Sequence, residues 1–214
     1  MKARLFIVED HHIFRFGLCE LIALEENLEV CGEADDVEDA WRQIQQIHPD
    51  LIIVDISLKT GNGLDLVERI HGNFLELPIL VLSMHDEALY AERSLKAGAR
   101  GYIMKEETTG SVIKAINSVL NDQIYVSGKV MNSLFQTMLG KPGQNPCFPV
   151  ETLTNRELEV FSYIGQGLTT RQIAGRLNLG AKTIGTYRER IKEKLNLKNA
   201  NELIKHAVYW VTNQ

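Results

Sequence analysis

The chain has few cysteines, few prolines and no long apolar run, and each shortage removes a class of protein. Its three cysteines, Cys19, Cys31 and Cys147, stand far apart with no Cys-x-x-Cys pair, so a disulfide framework is excluded. Cys19 and Cys31 lie in apolar runs and are expected to be reduced core residues. No stretch approaches the roughly 20 apolar residues that span a bilayer. Met1-Lys2-Ala3-Arg4 leads straight into a strand-like run, so the expectation is a cytoplasmic protein with no membrane partner. Three of the five prolines fall within residues 142–149, which leaves the rest of the chain free for regular elements.

Net charge is only −5, but it is unevenly distributed. Residues 1–150 hold 22 acidic against 13 basic side chains, whereas residues 151–214 hold 10 basic against 6 acidic. An acidic front and a basic tail point to a polyanion as partner of the tail alone.

The first 120 residues alternate between two periodicities. Apolar, β-branched runs occur at Arg4–Val8, Leu28–Ala34, Leu51–Asp55, Pro78–Ser83 and Gly101–Met104. Helix-period stretches lie near 12–24, 37–47, 63–73, 87–97 and 110–121. Leu51-Ile52-Ile53-Val54 and Ile79-Leu80-Val81-Leu82 are apolar throughout, as in parallel strands buried on both faces. The pattern predicts an α/β domain over 1–121, built on a five-stranded doubly wound parallel sheet. Residues 122–150 read as a linker, with a short helix at Val130–Leu139 followed by Gly140–Pro149. Residues 151–214 carry no strand signal and predict an all-α domain of four helices. Thr154 with Glu157 and Thr169 with Gln172 form capping boxes there, with Leu153/Leu158 and Leu168/Ile173 as hydrophobic staples.

Doubly wound sheets bind ligands outside the carboxyl ends of their strands. Glu9 and Asp10 follow the first strand, Asp55 ends the third, Ser83 ends the fourth, and Lys105 follows the fifth. Converging carboxylates repel one another unless a cation joins them, and hard oxygen ligands suit Mg²⁺. A hydroxyl and an ammonium on the same rim can hold phosphoryl oxygens. Aspartate is a covalent phosphoryl acceptor elsewhere, and Asp55 is the candidate. Gly61-Asn62-Gly63 begins like a dinucleotide fingerprint but fails it, since Leu66 stands where the third glycine belongs. His11 and His12, at a helix start, are expected to be solvated rather than metal-bound.

In the tail, helices near 169–177 and 181–195 joined through Asn178-Leu179-Gly180 have helix-turn-helix spacing, with the second as reader of the major groove. Ile173, Leu177, Ile184, Ile191 and Leu195 supply its core stripe. Residues 182–198 contain six basic side chains and two acidic ones, a composition suited to phosphate. DNA contact is expected from Lys182, Thr186, Arg188 and Arg190, with Thr183, Tyr187 and Lys194 completing the set. Gly185 stands mid-helix at a cost of about 1 kcal/mol relative to alanine. Glu189 places an acid on the reading face, and Gly180-Ala181 gives that helix a weak start.

Residues 1–120 resemble the receiver domain of bacterial two-component response regulators, carried by Glu9-Asp10, Asp55, Ser83, Tyr102 and Lys105. The tail resembles the LuxR-type helix-turn-helix through Leu153-Thr154-Asn155-Arg156-Glu157, Gly167-Leu168-Thr169, Gln172-Ile173-Ala174, Lys182-Thr183-Ile184 and Lys194-Leu195. Together they resemble the NarL/FixJ subfamily. The resemblance implies a flavodoxin-like strand order 2-1-3-4-5 and a transcription regulator, not an enzyme. It implies that a sensor histidine kinase phosphorylates Asp55 with Mg²⁺ on Glu9, Asp10, Asp55 and the Ser57 carbonyl. Ser83 would turn to the phosphate, Tyr102, half-buried by alternation, would move inward, and a last helix near 200–211 would form the contact of a homodimer on DNA. Three departures stand out: Lys59 where many receivers have proline, and Ser57 and Met84-His85 beside the path of hydrolytic water. A phosphatase using Asp55 as nucleophile is a rival; such enzymes usually carry an acid two residues on, where this chain has Ser57. A phosphorylation-independent DNA binder with a vestigial receiver is another, opposed by the complete acidic pocket.

Overall fold

The runs Ala3–Val8 (β1), Leu28–Ala34 (β2), Leu51–Val54 (β3), Ile79–Ser83 (β4) and Gly101–Met104 (β5) pair as one sheet, ordered β2-β1-β3-β4-β5. Every adjacent pair is parallel. The computed structural model describes residues 2–58, 60–84, 87–138 and 150–212. Lys59, His85, Cys147 and the Gly140–Pro149 segment lie outside the described residues.

Parallel pairing demands crossovers, and the helices α1 (His12–Ala23), α2 (Val37–Ile47), α3 (Gly63–Asn73) and α4 (Glu87–Lys96) supply the four, with α5 (Thr109–Leu120) following the last strand. Alternation along the strands divides the core. Leu5, Ile7, Leu51, Ile53, Leu80 and Leu82 point to the side where Leu18 and Ile22 of α1 and Val112, Ile116 and Val119 of α5 are buried. The intervening Phe6, Val8, Ile52, Val54, Ile79 and Val81 are equally buried on the opposite side. Short polar side chains start three of these helices: Asp36 accepts from Asp39 N, Asn62 from Leu64 N and Thr108 from Ser111 N. Strand order reverses between β1 and β3, so the loops leaving these two neighbours open the crevice that receives the site.

The first compact unit runs Met1–Lys141, past the expected linker start at residue 122. After α5 the chain turns at Asp122, with φ 59°, and returns along the free edge of β5. Tyr125 N donates to Arg100 O at 3.0 Å, and Tyr102 N donates to Tyr125 O at 2.8 Å. The helix α6 (Gly128–Met138) then packs on α4 and buries Val130. An open β5 edge would leave unsatisfied amides, and the chain closes it with its own continuation.

Among its described residues the second unit, Pro142–Gln214, has helices and no strand. After a 3-10 turn at Val150–Thr152 come α7 (Asn155–Gly165), α8 (Thr170–Arg176), α9 (Ala181–Lys194) and α10 (Ala200–Thr212). Both capping boxes form, Thr154 with Glu157 and Thr169 with Gln172. Leu158, Phe161, Ile173, Ile184, Ile191 and Leu203 are buried at the centre. At Gly165 the helices α7 and α10 touch so closely that a Cβ would lie 2.3 Å from Ala207 O.

Glu157 also receives Lys194 Nζ on Oε2 at 2.6 Å, which ties α7 to α9. Burial alone would raise the Glu157 pKa, but the Lys194 and Thr154 hydrogen bonds outweigh it and hold the carboxyl below its usual range. A folded pKa below the unfolded one contributes stability above about pH 4.3, and that stability is lost as pH falls through the folded value. Glu157→Gln keeps the cap and loses the ion pair. It is expected to lower the stability of this unit by about 1.5 kcal/mol at pH 7 and to flatten its acid dependence, checked by thermal melts between pH 3 and 7.

Candidate functional site

Three buried charges meet at the crevice between β1 and β3. Lys105 Nζ lies 2.6 Å from Glu9 Oε2 and 2.8 Å from Asp55 Oδ2. Glu9 is 2% exposed and Asp55 4%. The strands deliver them: Asp55 N donates to Val8 O at 2.9 Å, which locks the end of β3 against β1, and Lys105 N donates to Ser83 O at 2.8 Å, which locks the end of β5 against β4. His11 N donates to Glu9 Oε1 at 2.9 Å and fixes that carboxylate from the other side.

The charges shape one another. Burial first, and then the adjacent Asp55 charge, raise the Glu9 pKa against the pull of Lys105. For Lys105 burial acts to lower the pKa, but the Asp55 and Glu9 charges with their hydrogen bonds prevail and raise it. Asp10 completes the cluster: Glu9, Asp10 and Asp55 each offer a carboxylate oxygen, all within 4.8 Å of one another. Asp55 Oδ1 is buried with no hydrogen-bond partner among the described residues. A buried carboxylate oxygen in that state is costly until a cation or phosphoryl group meets it. The three carboxylates fit a hard divalent cation by donor type and spacing.

Of the other expected pocket residues, Ser57 is half-buried two positions beyond Asp55, and Ser83 is fully buried at the end of β4. Tyr102 differs from the half-buried strand aromatic expected: at 2% exposure it is already inward. Its backbone is tied to Tyr125 on the far side of β5.

Three contributors were not read from the sequence. A Cβ on Gly63 would stand 1.9 Å from Asp55 O, so only glycine allows α3 to start beneath the acceptor. The Phe14 ring lies 4.7 Å from Lys105 Nζ and covers the ammonium. Arg15 donates to Glu9 O and pairs with Glu33 at 3.0 Å, which steadies the loop carrying the acidic pair. The Gly-Asn-Gly spacing signalled a tight loop at 61–63, but no periodicity reveals which backbone atom it approaches.

In the second unit, α8 leads to α9 through Asn178, whose φ of 50° turns the chain, and Leu179 N donates back to Ala174 O at 2.9 Å. Lys182, Thr183, Thr186, Tyr187 and Arg190 line a single cleft of about 300 Å³ on the exposed side of α9. Arg188 is half-buried outside it. Lys194 is held in its pair with Glu157 at 2.6 Å, so its charge serves the helix packing. Glu189 pairs with Lys192 at 2.7 Å, which draws the acid back along its own helix. Gly180 gives α9 no side-chain cap. Among the described residues no helix is long and apolar enough to cross a membrane.

Comparison with known proteins agrees with this geometry. Residues 5–117 match the response regulator receiver domain, and residues 151–207 match the luxR family of bacterial regulatory proteins. The chain is 31% identical over 209 residues to the oxygen regulatory protein NreC of Staphylococcus carnosus, covering 96% of each. It resembles the crystal structure of a LuxR-family two-component response regulator from Aurantimonas sp. with TM-score 0.60 and 27% identity, covering 65% of this chain and 99% of that one. Its fold is also like that of RcsB from Salmonella enterica serovar Typhimurium, solved bound to promoter rprA in the presence of the phosphomimetic BeF3−. There the TM-score is 0.64 and the identity 24%, covering 97% of this chain and 99% of that one. These relatives are regulators and not enzymes, and the chain belongs with them to the two-component response regulators of the NarL/FixJ type, a receiver domain followed by a LuxR-type DNA-binding domain.

Proposed function

We propose that Asp55 accepts a phosphoryl group from a sensor histidine kinase in the cytoplasm, and that this modification governs dimerisation and sequence-specific binding of double-stranded DNA by α9. One observation carries the reading: Asp55 Oδ1 is buried and unpartnered while Lys105 holds Oδ2 at 2.8 Å. Transfer forms an Asp55 O–P bond as the donor's N–P bond breaks. Lys105, already between two carboxylates, then exchanges an Asp55 oxygen for a phosphoryl oxygen. Ser83, on the adjoining strand end, offers its hydroxyl to the same group. Glu9, Asp10, Asp55 and the Ser57 carbonyl would hold Mg²⁺, which neutralises charge on the phosphoryl oxygens.

Tyr102 acts as a switch through its strand rather than through an inward swing, since it is already buried. β5 carries Lys105 at one end and Tyr125 hydrogen-bonded alongside, so a shift of Lys105 bears directly on the segment leading to α6. On α9, Lys182 and Arg190 suit phosphates, and Thr183, Thr186 and Tyr187 suit base edges and sugars. Arg188 and Lys194 reach DNA phosphates only by leaving their present environments.

Incubation with acetyl phosphate and Mg²⁺ is expected to shift the wild-type chain on a phosphate-affinity gel, while Asp55→Asn stays unshifted and chelation of the metal abolishes the shift. A wild type that shifts no more than Asp55→Asn would sink the reading. Gly63→Ala, which drives a methyl group into Asp55 O, is expected to slow the same labelling by about tenfold or more, in keeping with an angstrom-scale misplacement. Labelling as fast as wild type would show that the acceptor's loop tolerates the displacement.

A further inference from the structure

Nothing among the described residues explains Gly185. It stands in the middle of α9 without a positive φ, and a Cβ built on it meets no heavy atom within 4 Å. Gly63 and Gly165 differ, since there a Cβ would lie 1.9 Å from Asp55 O and 2.3 Å from Ala207 O. Glycine in a helix interior weakens the helix relative to alanine. Gly185 therefore carries a cost with no packing or conformational return within its own unit.

The neighbouring side chains show what the bare backbone makes possible. Gly185 lies one turn beyond Lys182 and directly before Thr186, beside the cleft lined by Lys182, Thr183, Thr186, Tyr187 and Arg190. Thr183 and Thr186 are exposed, and their hydroxyl and methyl groups are too short to reach base edges unless the helix backbone comes close. Lys182 and Arg190 are long and reach phosphates from a greater distance. A Cβ at position 185, next to Thr186 on the outer side of α9, would hold the helix off beside that threonine.

We propose that Gly185 is a specificity-determining position: its missing side chain lets α9 seat deeply enough in the major groove for Thr186 to read bases. The proposal rests on the reading of α9 as the DNA-recognition helix. It predicts an unusual pair of effects, a more stable protein that reads its DNA less well.

The test selects duplexes from a random-sequence library with the full wild-type chain in the presence of Mg²⁺ and beryllium fluoride. It then measures binding of wild type, Gly185→Ala and Gly175→Ala to the selected duplex and to a scrambled one of equal length. Gly175 is a fair control, because it sits in α8, is exposed, and also has nothing within 4 Å of a built Cβ. Gly185→Ala is expected to raise the calorimetric melting temperature of the second unit by about 5 °C. It is also expected to weaken binding to the selected duplex at least tenfold while leaving the scrambled duplex unaffected, with Gly175→Ala binding both as wild type does. Wild-type affinity in Gly185→Ala would overturn the proposal, as would an equal loss on both duplexes, which would mark general damage rather than lost reading. A wild type that enriches no sequence would sink the DNA-recognition reading itself, and the role of Gly185 with it.

Discussion

Two carboxylates and one ammonium, buried together at the ends of β1, β3 and β5, set the terms for the rest of the receiver. Lys105 lies within 2.8 Å of both Glu9 and Asp55, and Asp10 adds a third acid within reach. One ammonium does not balance three carboxylates, and in a site of low dielectric the excess is expensive. The proposed chemistry draws on that imbalance: a divalent cation would offset the excess charge, and a phosphoryl group arriving with it would give Lys105 a new partner. The surrounding parts hold the triad still. The all-apolar strands fix the three chain positions, Phe14 covers the ammonium, Arg15 and His11 secure the acidic loop, and Gly63 lets α3 begin directly under Asp55.

The same strand that carries Lys105 also carries the connection out of the site. β5 pairs with β4 on one side and with Tyr125 on the other, and the chain then enters α6, which packs on α4. Lys105, which follows β5, and the Tyr125 segment paired alongside that strand are thus joined through β5 itself. Tyr102 is buried on β5, and under the proposed phosphorylation a movement at Lys105 would be carried by that strand. The second unit is held by different means: capping boxes, the Glu157–Lys194 pair and the close approach at Gly165 fix its helices.

Much of this was legible in the sequence, for identifiable reasons. Strands buried on both faces must be apolar throughout, so β3 and β4 announced themselves and their polar ends marked the pocket. Thr154/Glu157 and Thr169/Gln172 were readable because capping is a local interaction. What escaped was non-local. Tyr125 pairs with β5 through backbone atoms that any residue supplies, so no side-chain pattern shows that the segment after α5 returns to the sheet. Lys194 reads as one more base on a basic helix until Glu157, 37 residues away in sequence, is found against it. Tyr102 seemed half-buried because alternation assumes an open face, whereas the folded chain leaves it 2% exposed.

The central claim is that the chemistry of Asp55 governs what α9 does. The most direct measurement is the affinity of the full chain for its own genomic sites, with and without beryllium fluoride and Mg²⁺, for wild type and Asp55→Asn. The account predicts that wild type binds at least tenfold more tightly when the phosphoryl mimic is present, and that Asp55→Asn does not respond. Equal affinity in all four conditions would contradict it.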